Sequence, residues 1–245
     1  MTTFDPLDAV LFDLGGVLTP TAEVHMRAWA RLFEPFLAER GATAYTAQDY
    51  FDYIDGKPRY EGVAALLTSR GIDLPYGEPD DSPDADTVCG LGNRKNAVFT
   101  AVLDADGVAP YPGSVAFLDA LARRGGVQVA VVSSSKNARP VLRAAGLMDR
   151  FTVIVDGVVA AEHGIPGKPA PDTYLYAAEQ LGVPASRAVV VEDAHSGVEA
   201  GHAGHFGHVL GVDRGAGRES LLAKGADTVV EDLAELVDDV NGAHA

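Results

Sequence analysis

The chain has 245 residues, 47% of them apolar, enough for one large domain or a core domain with a smaller insert. With 19 Lys plus Arg against 35 Asp plus Glu, the formal charge is −16. That argues against nucleic acid or an anionic membrane as partner, but not against a small phosphorylated molecule held in a locally positive or metal-containing pocket. A single cysteine, Cys89, excludes an internal disulfide and a thiol-rich metal site. No apolar run approaches the roughly 20 residues of a membrane span, and the first residues lack the basic and apolar regions of a signal peptide, so a cytoplasmic protein is expected.

The first apolar run, Ala9-Val-Leu-Phe12, ends at Asp13 and passes directly into a glycine turn, Gly15-Gly16. Short, valine-rich runs without alternation follow at Val127–Val132, Phe151–Val155, Ala188–Val191 and His208–Val212, with a weaker sixth at Thr228–Val230. This is the pattern of parallel strands covered on both faces. Helical segments with glycine stop signals lie between them at Ser114–Arg124, Ala138–Ala145 and Asp172–Leu181. Alternating strand and helix implies an α/β fold with a doubly wound parallel sheet.

Residues 20–98 break this rhythm. They carry helical patterns at Glu23–Arg40, Tyr60–Arg70 and Asn93–Asp104, a polar loop at Tyr76–Asp86, and no convincing strand. The expected organisation is a Rossmann-like core of residues 1–19 and 99–245, with a helical cap, 20–98, inserted after the first strand as a lid.

Buried acids are costly unless paired or bound to a metal, and ligands of open α/β sheets bind beyond the carboxyl ends of the strands. Four polar clusters fall there or in the loops beyond: Asp13, Ser133, Lys168 in Gly167-Lys-Pro-Ala-Pro-Asp172, and the pair Glu192-Asp193. Each taken alone also reads as a helix cap or a surface group. Together they resemble the haloacid dehalogenase superfamily. The resemblance narrows to its β-phosphoglucomutase-like branch through Phe12–Thr21, Glu23, His25, Ala28-Trp29, Asp55–Arg59, Asn93–Asn96, Ser133–Asn137, Gly167–Asp172 and Val191–Gly197.

The resemblance implies a phosphotransferase that converts a hexose phosphate, β-glucose 1-phosphate to glucose 6-phosphate in the type reaction. Asp13 is then the nucleophile that becomes an aspartyl-phosphate. Mg²⁺ is held by Asp13, the Gly15 carbonyl, Glu192 and Asp193, an all-oxygen set that suits this ion. Ser133 and Lys168 hold phosphoryl oxygens. Arg59 and Lys95 are expected to hold the substrate's other phosphate. Gly56, Lys57, Ser135, Asn137 and Trp29 complete the substrate contacts, and a monomer is expected.

The sequence departs from this pattern at one position. The family's second aspartate, two residues after the nucleophile, moves the proton of the leaving and attacking oxygens; here that position is Gly15. Pro20 likewise stands where an acidic hinge residue is expected before Thr21. Three readings follow: a sugar phosphate enzyme with a substitute proton carrier, His25 or Glu23; a phosphatase limited to easier leaving groups; or a silent sugar phosphate binder. His25 is favoured as carrier because histidine titrates near neutrality.

Overall fold

The computed structural model describes residues 8–54 and 59–242. The chain divides into two compact units, one formed by residues up to Thr21 together with those from Val108 onward, the other by Ala22–Gly107.

The first unit is built on six strands: β1 (Ala9–Phe12), β2 (Gln128–Val132), β3 (Val153–Val155), β4 (Ala188–Glu192), β5 (His208–Val212) and β6 (Thr228–Val230). They pair in parallel in the order β3-β2-β1-β4-β5-β6. All six expected runs form strands because β-branched residues fit a pleated surface and both faces are covered. Every residue of β1 and β4 is buried. Tyr174, Ala177 and Ala178 of the helix Asp172–Leu181 pack into the same core cluster as Leu11, Val132 and Val190. Strand order reverses between β1 and β4, and such a switch point opens a crevice at the strands' carboxyl ends. Phe12 of β1 sits in register with Val131 of β2 and Val191 of β4, so the residues that follow these three strands come together.

The expected helices form at Pro112–Arg124, Ala138–Ala144 and Asp172–Leu181. Helices also form at Gly157–His163, at His195–Ala203 after the Glu192-Asp193 pair, and at Arg218–Ala223. The first is started by Asp156, whose Oδ1 accepts from the backbone N–H groups of Val158 and Val159 at 3.0 Å each.

The second unit is helical among its described residues: the helix Thr21–Glu39, which belongs to it from Ala22 onward, then Ala47–Asp49 running into a π turn at Tyr50–Ile54, then Arg59–Ser69 and Val88–Asp106. Its core gathers Leu32, Phe33, Leu37, Val63, Leu66 and Leu91. The last helix starts five residues before the expected Asn93. Gly90 and Gly92 lie inside it as sites of close packing. A Cβ on Gly90 would lie 2.4 Å from the Ala85 carbonyl oxygen, and one on Gly92 would lie 2.5 Å from the Tyr60 ring. Thr87 caps this helix by accepting from the Gly90 N–H at 2.9 Å. The helix runs on to Asp106, which carries the unit boundary to Gly107 instead of residue 98.

Candidate active site

Asp13 follows β1 directly, and its backbone N–H donates to the Val191 carbonyl of β4 at 2.9 Å. Its Oδ1 accepts from Lys168 Nζ at 2.6 Å. The same ammonium donates to Glu192 Oε1 at 2.6 Å and to the Val132 carbonyl at 3.0 Å, so one side chain joins the ends of β1, β2 and β4. The Lys168 side chain is 6% exposed and that of Glu192 2%. Tyr174 donates its hydroxyl to Glu192 Oε1 at 3.0 Å, and Glu192 Oε2 accepts from the N–H groups of Asp193 and Ala194 at 3.0 and 3.1 Å.

Oxygens of Asp13, Glu192 and Asp193 lie within 4.8 Å of one another, the one such cluster among the described residues. Three carboxylates therefore meet a single ammonium. Burial pushes Asp13 up to about 6 against the pull of Lys168. Burial, then the Asp13 and Glu192 carboxylates, pushes Asp193 up to about 8. Burial opposes the charge on Lys168, but the same two carboxylates more than offset it and hold its pKa above the ordinary value. A site with surplus buried negative charge and only oxygen donors has the chemistry a hard divalent cation requires. Both oxygens of Glu192 are already engaged, which leaves Asp13 Oδ2 and the Asp193 carboxylate as the less encumbered donors.

Two glycines are required by this packing. Gly16 has φ +79°, and a Cβ there would fall 1.8 Å from Asp193 Oδ2; a Cβ on Gly197 would fall 1.7 Å from Glu192 Oε1. Ser133, buried after β2, accepts at Oγ from the Ser135 N–H at 3.2 Å, and Ser135 Oγ accepts from the Asn137 N–H at 3.1 Å. These nested turns shape the loop and leave the Ser133 hydroxyl proton to donate. Tyr174 and Arg214 escaped the sequence reading. Tyr174 looks like an ordinary apolar helix position. Arg214 donates Nε to the Gly16 carbonyl at 3.0 Å, stacks 3.9 Å over the Tyr111 ring, and also holds the Glu231 carbonyl and Asp232. Its signal in sequence was its place just past β5.

In the helical unit, Lys95 Nζ and His25 Nδ1 are hydrogen-bonded at 2.6 Å, and Nζ lies 4.9 and 5.0 Å from the Trp29 and Phe99 ring centroids. Lys95 is only 4% exposed, and His25 stacks on Phe99 at 4.4 Å. Burial, then Lys95 and Arg59, pushes the His25 pKa down to about 3. That corrects the expectation that His25 titrates near neutrality: its imidazole is held neutral. Trp29 is buried and stacked on Phe33 at 5.4 Å, a core residue rather than an open platform. Arg59 donates to Asn96 Oδ1 at 2.9 Å. Gly56 and Lys57 lie outside the described residues.

Burial, then Arg59, also pushes Lys95 down to about 7, from 10.5. The folded state thus disfavours the charged amine; the cost is fully present below about pH 7 and fades as pH rises toward 10.5. Lys95→Met, which keeps the contacts to Trp29 and Phe99, is expected to raise stability near pH 7 by about 1–3 kcal/mol. The gain should vanish near pH 10, as read from urea unfolding at the two pH values.

The haloacid dehalogenase-like hydrolase family profile matches residues 7–205. The chain belongs to this family. It is 50% identical over 241 residues to the β-phosphoglucomutase of Mycobacterium bovis, covering 94% of this chain and 91% of that one. It is 31% identical over 238 residues to the β-phosphoglucomutase of Bacillus subtilis, covering 94% and 92%. Among solved structures it matches a mutant of CbbY from Rhodobacter sphaeroides in complex with xylulose-(1,5)bisphosphate, with TM-score 0.70, 27% identity and 94% and 96% coverage. This haloacid dehalogenase protein is thus a phosphomutase or phosphatase of the β-phosphoglucomutase-like branch.

Proposed function

We propose that this enzyme transfers the phosphoryl group of a sugar phosphate through an aspartyl-phosphate at Asp13, with Mg²⁺ as cofactor. The observation that carries the reading is Lys168, which donates at 2.6 Å to both Asp13 and Glu192 beside Asp193. Asp13, Asp193 and the spare lone pairs of Glu192 would hold the ion, together with the Gly15 carbonyl. Bound there, the cation neutralises charge on the transferring group.

The protein's own groups do the rest. Asp13 Oδ attacks phosphorus; Lys168 neutralises phosphoryl charge and holds the nucleophile in place; the Ser133 hydroxyl donates to a phosphoryl oxygen. Positioning and charge stabilisation of this kind supply most of the catalysis of phosphoryl transfer. Arg59, Lys95, Ser135 and Asn137 bind the remainder of the substrate in this reading.

A second reading, a phosphatase confined to easier leaving groups, is favoured by two observations: Gly15 has no side chain to move a proton, and His25 is held neutral. General acid–base catalysis is worth about 10²–10⁴ in rate, a loss felt fully by a sugar alkoxide and little by an acyl leaving group. The two are separated by turnover of β-glucose 1-phosphate and acetyl phosphate with Mg²⁺. Comparable kcat/KM on both supports the sugar phosphate enzyme. A sugar value lower by about 10² or more supports the restricted phosphatase. Neither substrate turning over defeats both.

A further inference from the structure

The direction a side chain at position 15 would take is not vacant. A Cβ built on Gly15 lies 2.7 Å from Thr21 Oγ1, and no other heavy atom outside its chain neighbours comes within 4 Å of it. Thr21 opens the helix Thr21–Glu39 and is 7% exposed, and no protein group hydrogen-bonds its hydroxyl among the described residues. The turn that brings it there is tightly folded: Gly16 N–H donates to the Thr19 carbonyl at 2.8 Å, and Thr19 N–H to the Leu14 carbonyl at 3.0 Å. An unpartnered hydroxyl therefore stands over Gly15, the position two residues after the nucleophile that lacks a polar side chain.

We propose that Thr21 is the water-positioning residue of this enzyme, its hydroxyl taking the place left by the missing side chain at Gly15. The inference rests on the aspartyl-phosphate reading above. In hydrolysis of that intermediate, a water oxygen bonds to phosphorus and the bond from phosphorus to the Asp13 oxygen breaks, its electron pair leaving with the carboxylate. The water's proton ends on a phosphoryl oxygen, so the products are the Asp13 carboxylate and dihydrogen phosphate. Thr21 Oγ accepts a hydrogen bond from the attacking water and orients it; a threonine hydroxyl can accept and donate at once, as this role needs.

The test follows the phosphoenzyme through time. Wild-type enzyme, Thr21→Val and Thr21→Ser are loaded with acetyl phosphate and Mg²⁺, and formation and decay of the phospho-adduct are followed by intact mass. Valine keeps the branched shape without the hydroxyl, and serine keeps the hydroxyl. Thr21→Val is expected to slow decay about three- to tenfold, the worth of one hydrogen bond, with formation changed less than about twofold, and Thr21→Ser to restore decay. Unchanged decay in Thr21→Val, or formation and decay slowed equally, overturns the proposal. If no variant, wild type included, forms an adduct, the aspartyl-phosphate reading itself fails. Gly15→Asp supplies a second readout that does not depend on how well the valine variant folds. The new carboxylate enters the volume that the Thr21 hydroxyl occupies, so decay of the adduct should change by more than about threefold while formation changes less; decay left unchanged by Gly15→Asp also overturns the proposal.

Discussion

Replacing Asp13 by Asn is expected to lower phosphate release by about 10⁴-fold or more, because the amide cannot attack phosphorus and the covalent route is lost. The substitution keeps the side chain's size. It leaves the Lys168–Glu192 pair at 2.6 Å and the Tyr174 hydrogen bond to Glu192 in place. Folding should therefore survive, and a melting temperature within a few degrees of the parent's checks this independently of the assay. Residual activity above about one part in a hundred, measured as phosphate released from acetyl phosphate, would mean that another group carries the phosphoryl transfer.

Lys168→Met should be costly in both stability and rate. The ammonium is the shared partner of two buried carboxylates and a main-chain carbonyl, and the substitution leaves all three without it. Breaking a buried pair from one side costs about 3–5 kcal/mol, since the remaining charge is uncompensated. Loss of charge stabilisation at the phosphoryl group costs about 10²–10³ in kcat. The stability loss should be largest in chelator and partly recovered in Mg²⁺, because a cation held by the same acids replaces the missing positive charge; ligand at 100-fold its Kd is worth about 2.7 kcal/mol. Urea unfolding with and without Mg²⁺ reads both parts. A variant as stable as its parent in chelator would show that Lys168 does not balance the cluster.

The sheet was legible because its strands are buried on both faces, so that each reads as an uninterrupted valine-rich run with a polar residue at its end. That regularity placed Asp13, Ser133, Glu192 and Asp193 at strand ends, and Lys168 in the loop that folds back onto them. The helices Gly157–His163 and Arg218–Ala223 were not read from sequence; neither completes two turns of periodicity, although Ala138–Ala144 is as short and was read. Gly90 and Gly92 show glycine inside a helix for another reason: the close approach of Ala85 and Tyr60 leaves no room for a Cβ. The state of His25 was hidden too. Its ordinary pKa is a property of the residue, whereas the lowered value follows from Phe99, Lys95 and burial, which only the folded unit supplies. Thr21 and Arg214 act on the Gly15–Gly16 turn from 6 and 198 residues away, and neither belongs to a local motif.

In the proposed reading the glycine at position 15 bears on the proton, not on the nucleophile, so capture of phosphorus by Asp13 remains the step on which everything else depends. It is tested most directly by mixing the enzyme with acetyl phosphate and Mg²⁺, quenching in acid, and weighing the intact protein and its peptides. The account predicts one added phosphoryl group, mapped to the peptide containing Asp13 and absent from Asp13→Asn. A chain that turns over acetyl phosphate with no adduct at any quench time, or an adduct that persists in Asp13→Asn, would contradict it.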